Sequence, residues 1–363
     1  MNDKAFYLPG LVASALWVGS ASASAPVGDA PVSSASSPAP GDFTLRKSIS
    51  DPTYAKDSGH LALYKAINAL REQLGVGLLM QDATLDAAAQ AHAVYLSSNS
   101  LAQHDEAVEN PDFYEVSPLS RARKAGAPAA QWVGEVVAAA KGGNDSDIGE
   151  KCFRQLYHTV YHLQSLVGNQ ESVGVGYSHR GALGLNLCVL DFGTSTAAQA
   201  DPAPNGVPYV GGQQFDVGLL VTVPHNGETD VDPAFNADSE TPDPAPDLKT
   251  PGRPLMVYAN GAFGEVLSVG TFKIVNSDGV AVPARILVLP AAKGDGSEGL
   301  ADAYVRNNAA FLLPLAQLAA RETYTATFSG RRAGQPVSFS WSFKTGKIPT
   351  LTIHIAPAMI LNE

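Results

Sequence analysis

Two stretches rich in Pro, Gly, Ala and Asp divide this chain, and they constrain its fold more than any other feature. The first is 197–212 and the second is 223–254, with Thr241-Pro242-Asp243-Pro244-Ala245-Pro246 at its densest. Upstream of them, apolar residues recur at helical spacing. Downstream they come in short runs that read as strands. No single helix bundle or β-barrel accommodates both halves. At 363 residues the chain has room for two modest domains plus connections.

In the upstream half, Leu61, Leu63-Tyr64, Ile67-Asn68, Leu70-Arg71 and Leu74 form one helical face, ended by Gly75 and Gly77. Asp82 is a capped start for a second helix with Leu85, Ala88-Ala89 and Leu96 on its apolar side. His92 lies on that same side and reads as a packed core histidine. Leu119 to Gly126 is a short helix, Gln131 to Ala140 is strand-like, and Asp147 to Tyr157 is helical with apolar residues continuing toward His162. Strands at 172–177 and 182–189 join through the turn Ser178-His179-Arg180-Gly181 and close the domain. This order predicts an α+β layered domain over 59–197.

Residues 198–253 read as a solvated connection or a long loop. Its acidic residues lack the spacing of a calcium loop. Residues 254–347 then carry seven or so short strands separated by turn residues, which predicts an immunoglobulin-like β-sandwich without a cysteine pair. Trp341 and Phe343 alternate in one strand and read as core rather than as a carbohydrate platform. A tail, 348–363, follows.

The first 25 residues combine Lys4, a mostly apolar stretch from Leu8 to Val18 and small-residue cleavage patterns ending at Ala23 and Ala25. They read as a cleaved signal peptide, with a disordered linker over 26–58. No other apolar run approaches the length of a membrane span. The expected location is secreted or periplasmic. Net charge is −11, from 24 basic and 35 acidic residues, which argues against nucleic acid as a partner. Of the two cysteines, Cys188 precedes Val-Leu-Asp-Phe, a core-strand pattern, so two buried thiols are favoured over a bridge.

Imidazole and carboxylate groups concentrate between His104 and His162. They stand in Gln103-His104-Asp105-Glu106, in Val133-Gly134-Glu135 and in Tyr157-His158-Thr159-Val160-Tyr161-His162. Such groups suit Zn²⁺, general acid–base chemistry or a mutually satisfied buried network. On a continuous helix His158 and His162 would share a face. His-Glu-x-x-His and Gly-x-Ser-x-Gly are both absent, so no hydrolase motif is present.

Taken in order, Ile67-Asn68-Ala69-Leu70-Arg71, Leu85 to Ala93, the His104 segment, Gly134-Glu135, Tyr161-His162 and Val173-Gly174-Val175-Gly176 resemble the CAP superfamily. That superfamily comprises cysteine-rich secretory proteins, antigen 5 and plant pathogenesis-related 1 proteins. The resemblance covers a little over a third of the chain and points to bacterial, disulfide-poor members with a C-terminal immunoglobulin-like domain. It implies an α-β-α sandwich whose cleft is lined by two His and two Glu. His104, Glu135 and His162 match three of these positions, and Glu106 resembles the acidic partner of the first histidine. Val136 stands where the family has Asn, and Leu163 where bacterial relatives often have Arg.

The resulting expectation is an exported protein binding a small or lipid-like molecule, or a cell-surface component, at His104, Glu106, Glu135 and His162. Zinc would sit on His104 and His162. The alternative is a secreted hydrolase using the same four residues, and the sequence leaves open whether any reaction is catalysed.

Overall fold

The computed structural model describes residues 45–347, apart from 180–183, 197–210, 217, 236, 238–239, 262–265, 295 and 333, together with 358–359. The expected signal peptide, residues 26–44 of the expected linker and most of the tail lie outside the described residues.

Helix α1 (Gly59–Leu74) starts where the Ser58 side chain accepts from Leu61 N–H and stops at Gly75 in the left-handed region (φ 71°). After β1 (Met80–Gln81), α2 (Ala83–Asn99) is capped by Asp82, and α3 (Pro118–Lys124) begins with a Ser117/Ser120 capping box. Strand β2 (Trp132–Ala140), α4 (Asp145–Tyr157), α5 (Tyr161–Leu166), β3 (Ser172–Ser178) and β4 (Asn186–Thr194) complete this lobe. The sheet order is β1-β3-β4-β2, with β1 parallel to β3 and the other pairs antiparallel.

Residue parity along the strands sorts the helices into layers. Val173, Val175, Cys188 and Leu190 pack with Leu63 and Ile67 of α1 and Ile148 and Leu156 of α4 on one face. Val137, Ala139, Leu187 and Val189 pack with Ala89, Ala93 and Leu96 of α2 on the other. Gly174 and Gly176 let α2 lie on the backbone of β3. A Cβ at Gly174 would fall 2.0 Å from the Leu85 carbonyl carbon, and one at Gly176 2.0 Å from the Ala89 carbonyl oxygen.

Two expectations need correction here. Cys152 and Cys188 form a disulfide between α4 and β4, with Cα atoms 6.4 Å apart. Cys188 does sit in a core strand, but its side chain faces α4, whose inward positions Ile148, Cys152 and Leu156 follow at four-residue steps. Burial and pairing are therefore compatible. The helix expected to run on toward His162 is broken at His158, the C-cap of α4, where ψ is 4°. His158 and His162 do not share a helix face.

The C-terminal half is all-β apart from α6 (Pro290–Gly294). Its strands are β5 (Leu220–Val223), β6 (Glu240–Thr241), β7 (Leu255–Ala259), β8 (Ser268–Val275), β9 (Ala284–Val288), β10 (Leu300–Ala301), β11 (Ala309–Pro314), β12 (Thr323–Arg332) and β13 (Gln335–Lys344). A five-stranded sheet ordered β10-β9-β11-β7-β5 packs on a three-stranded sheet ordered β13-β12-β8. Trp341 and Phe343 are buried between them, as expected of core residues.

The five-stranded sheet is buried on both faces. Leu255, Val257, Ala310 and Leu312 face the three-stranded sheet, while Met256, Tyr258, Phe311 and Leu313 join the core of the α+β lobe. This explains why β7 and β11 read as unbroken apolar runs instead of alternating ones. The stretch taken for a solvated connection contributes Phe235, Ala237 and Ala245 to the same shared core. Its prolines and acids mark irregular backbone, and that backbone is packed.

Candidate functional site

Five elements deliver polar side chains to one buried spot on the α2 face of the sheet. Helix α2 supplies His92, the segment after it His104 and Glu106, α3 Arg121, β2 Glu135 and β4 Asp191. His104 Nδ1–H donates to Glu135 Oε1 (2.7 Å), and Arg121 Nη2–H to Glu135 Oε2 (2.8 Å). His92 Nδ1 lies 2.8 Å from Glu106 Oε1, and its Nε2 lies 2.9 Å from the Gln103 carbonyl oxygen. The Gln103 carbonyl oxygen can only accept, so Nε2 carries hydrogen in this arrangement. Glu106 Oε2 accepts from Tyr114 N–H (2.7 Å), which ties the loop over the cluster. Asp191 stands directly opposite Glu135 in the β2–β4 ladder.

The electrostatics follow from this packing. Burial alone would push the Glu135 carboxyl up. The positive charges of His92 and Arg121, with the bond from His104, outweigh it and hold the group below the usual carboxylate range. Asp191 goes the other way. Burial first, and then the charge of Glu135 beside it, push it well above the ordinary aspartate value. Burial and the neighbouring Glu135 charge both favour its neutral form. The carboxyl groups of Glu106 and Glu135 thus face the Arg121 guanidinium and the imidazoles of His92 and His104. The cluster's acidic and basic atoms are committed to one another, and a group so committed is a poor general base.

The sequence-predicted residues divide between two places. His104, Glu106 and Glu135 come together in this network. His162 stands on α5, whose neighbours Val160, Tyr161 and Leu163 pack in the core on the opposite face of the sheet. Its Nδ1 lies 2.9 Å from Glu240 Oε1 and 3.3 Å from Thr159 Oγ1, while Nε2 is buried without a partner. Glu240 also accepts from the backbone N–H groups of Val160 (2.9 Å), Tyr161 (2.7 Å) and His162 (3.0 Å). No residue of α5's own N-cap serves that role, so a carboxylate from the C-terminal half satisfies the start of this helix.

His158 lies at the same seam. Its Nδ1 is 2.7 Å from Asp232 Oδ2, which also accepts from Arg154 Nη2 at 2.7 Å. Burial and the nearby Arg253 charge pull the imidazole down to about 4, against the opposing pull of Asp232.

Three members of the network were not anticipated as site residues. His92 carries a signal only in retrospect, since a histidine among inward-facing alanines of α2 needs partners for both ring nitrogens. Arg121 sits in the basic run Arg121–Lys124, which reads as a solvated helix end, and only the position of Glu135 reveals which of those cations turns inward. Asp191 had the clearest signal, one carboxyl inside the buried run of β4.

A zinc ion shared by His104 and His162 draws no support from this arrangement. The two imidazoles bond carboxylates on opposite faces of the sheet, and His92 has no ring nitrogen to offer. Among the described residues no group of three or more His, Cys, Asp or Glu is placed to hold a metal.

No curated protein matches the chain. Among solved structures it is similar to the 1.5 Å crystal structure of an extracellular protein containing a SCP domain from Bacillus anthracis str. Ames. That similarity is at 17% identity and a TM-score of 0.31, over 39% of this chain and 44% of the other. The chain therefore spans less than half of that protein. The family model for the cysteine-rich secretory protein family matches residues 64–192, which run from α1 into β4 and include the whole His/Glu network. Residues 64–192 of the α+β lobe are a CAP domain.

Proposed function

We propose that this is an exported CAP-domain protein whose α+β lobe is a binding module rather than a hydrolase. In this reading the β region is a spacer or adhesion module fused to it. The observation that carries the proposal is the closed commitment of the network. Both oxygens of Glu135 and of Glu106 and both nitrogens of His92 are already bonded, and Glu135 is held below the usual carboxylate range. Such a cluster is suited to be a rigid polar floor.

His104 is the least enclosed of the five side chains His92, His104, Glu106, Arg121 and Glu135. Its side chain keeps 3% exposure where those of His92, Glu106, Arg121 and Glu135 keep 0%. Exposed Val108 and Val116 stand on the following loop, which the Glu106 N–H to Val116 carbonyl bond (2.8 Å) folds back over the cluster. A small amphipathic ligand would place a polar group at His104 and cover these valines.

The disulfide supports export, because such bonds persist in oxidising compartments. No helix among the described residues is long and apolar enough to cross a membrane.

Calorimetry with sodium laurate as the probe tests the binding reading. Heat released by the native protein and lost in His104→Ala supports it. A panel of peptide and ester substrates tests the alternative. Turnover by the native protein that disappears in Glu135→Gln, with the variant's fold verified by circular dichroism, would overturn the proposal in favour of hydrolysis.

A further inference from the structure

The β region carries a cavity that none of the CAP-domain chemistry uses. Strand β12 pairs with β8 in regular register as far as Ser329↔Thr271, and the next pair is Gly330↔Val269. Gly270 is thereby left over as a bulge. Bulges bend a strand and re-aim the groups around it. Here the bend opens a cavity of about 470 Å³, lined by Ser268, Ser297, Ser329, Ser338, Gly270 and Arg331 among others. That size lies within the range of small-molecule sites.

Ser268 Oγ donates to the Arg331 carbonyl oxygen (3.4 Å) and Ser297 Oγ accepts from Val269 N–H (2.9 Å), but the other two serine hydroxyls of the cavity differ from their neighbours on the same sheet. On the outer face of the β12–β13 ladder, Thr325 bonds Ser342 (2.9 Å) and Thr327 bonds Ser340 (3.0 Å). The next rung is Ser329↔Ser338, and its hydroxyls bond neither each other nor another described group. The ladder of mutually satisfied hydroxyls ends where the cavity begins.

The geometry points to a saccharide-binding site in this cavity, and we propose that the β region takes neutral, hydroxyl-rich sugars there. Serine hydroxyls and the open backbone beside the glycines can exchange hydrogen bonds with a polyol in both directions. Among the described residues Arg331 is the one ionised side chain in the lining, and its Nη1 already donates to the Gly334 carbonyl oxygen (2.9 Å). An anionic ligand therefore finds little charge here. Among the described residues no aromatic ring lines the cavity, so an apolar ligand finds little to stack on, and affinity for a sugar should be modest. The inference stands on the β region alone and does not depend on what the CAP lobe binds.

The full chain would be titrated with cellotriose, maltotriose and tri-N-acetylchitotriose by calorimetry or saturation-transfer NMR. At least one is expected to bind with a dissociation constant on the order of 1 mM. Gly270→Leu is the blocking variant. A Cβ there would meet its nearest atom, the Ser329 carbonyl oxygen, at an ordinary 3.6 Å, so the side chain fills the cavity without displacing the backbone. The double variant Ser329→Ala/Ser338→Ala removes the unpaired hydroxyls without touching the core. Each should weaken binding at least about tenfold, whereas Thr327→Ala should leave it unchanged. Absence of binding by all three sugars up to about 10 mM overturns the proposal. So does binding that survives either the blocking or the double variant.

Discussion

His104 and His162 each hold a glutamate by Nδ1, yet the two pairs belong to different structures. His104–Glu135 is one edge of a network confined to the CAP lobe, built from α2, α3, β2 and β4 and balanced by Arg121. His162–Glu240 is part of a seam between the lobe and the β region, where Glu240 also receives three backbone N–H groups of α5. The same pair of side chains serves rigidity within a domain in one case and attachment between halves in the other. Chemistry read from residue type alone does not separate these roles. Partners decide them.

The largest expected effect tests whether the network is as dry as its packing implies. Arg121→Met removes the guanidinium and leaves the carboxyl groups of Glu106 and Glu135 buried with the imidazoles of His92 and His104. Removing one partner of a buried pair costs about 3–5 kcal/mol. Guanidinium unfolding of the variant should show a loss in that range. A loss below about 1 kcal/mol would mean that water reaches the cluster and that the two regions are more alike than they look.

Next in size is Glu240→Ala, which should strike the seam and spare the network. Three N–H groups and one imidazole lose their acceptor, and buried donors left unmade cost about 1–3 kcal/mol each before water enters. A net loss of about 3 kcal/mol is expected, with amide exchange accelerated at Val160, Tyr161 and His162 and unchanged on β2. Equal acceleration at Glu135 would merge the two regions into one.

This contrast also locates what the sequence makes legible. Helix and strand periodicity, the caps at Ser58 and Asp82 and the β3 valine–glycine alternation lay out the CAP lobe, because each is a local signal. His104, Glu106 and Glu135 are legible through family resemblance and do meet. His162 is legible as a family position, but its partner Glu240 lies 78 residues on, in a stretch whose composition imitates a solvated connection. Arg121 escapes for the same reason, whereas Asp191 carries a local signal in the buried run of β4. A long-range partner selects Arg121, and nothing local distinguishes it from Arg123. The disulfide was missed because a core-strand pattern says that Cys188 is buried and says nothing about what faces it.

Acid should separate the two regions further. Burial, and after it the charge of Arg253, depress His158 from its ordinary value near 6.5 to about 4, so the unfolded chain binds the proton more readily between those values. Stability contributed by this group is complete above about pH 6.5 and is lost as pH falls toward 4. With the imidazole 21% exposed, the loss should be on the order of 2 kcal/mol. Glu135 is depressed below the usual carboxylate range, so its contribution persists through this window and fades only at lower pH. Denaturation midpoints at pH 7 and about pH 4.5 should therefore differ in the native protein and converge in His158→Gln. A slope that persists in that variant would assign the acid sensitivity elsewhere.

The smallest expected effect lies inside the network itself. Asp191 and Glu135 are paired across β4 and β2, yet their carboxyls are shifted in opposite directions. A carboxyl whose folded value is raised contributes stability that is complete below its unfolded value near 3.9, and that stability is lost as pH rises through the folded value. Asp191 is therefore a burden at neutral pH, or at best neutral. Asp191→Asn replaces an acid whose neutral form is favoured by burial with a neutral amide of the same shape. It should change stability by no more than about 1 kcal/mol, toward gain. Glu135→Gln, its neighbour across the ladder, discards a carboxylate on which Arg121 depends and should cost about 3 kcal/mol or more. If the two substitutions cost the same, Asp191 would have to be ionised. A further buried negative charge would then stand directly opposite Glu135 across the ladder.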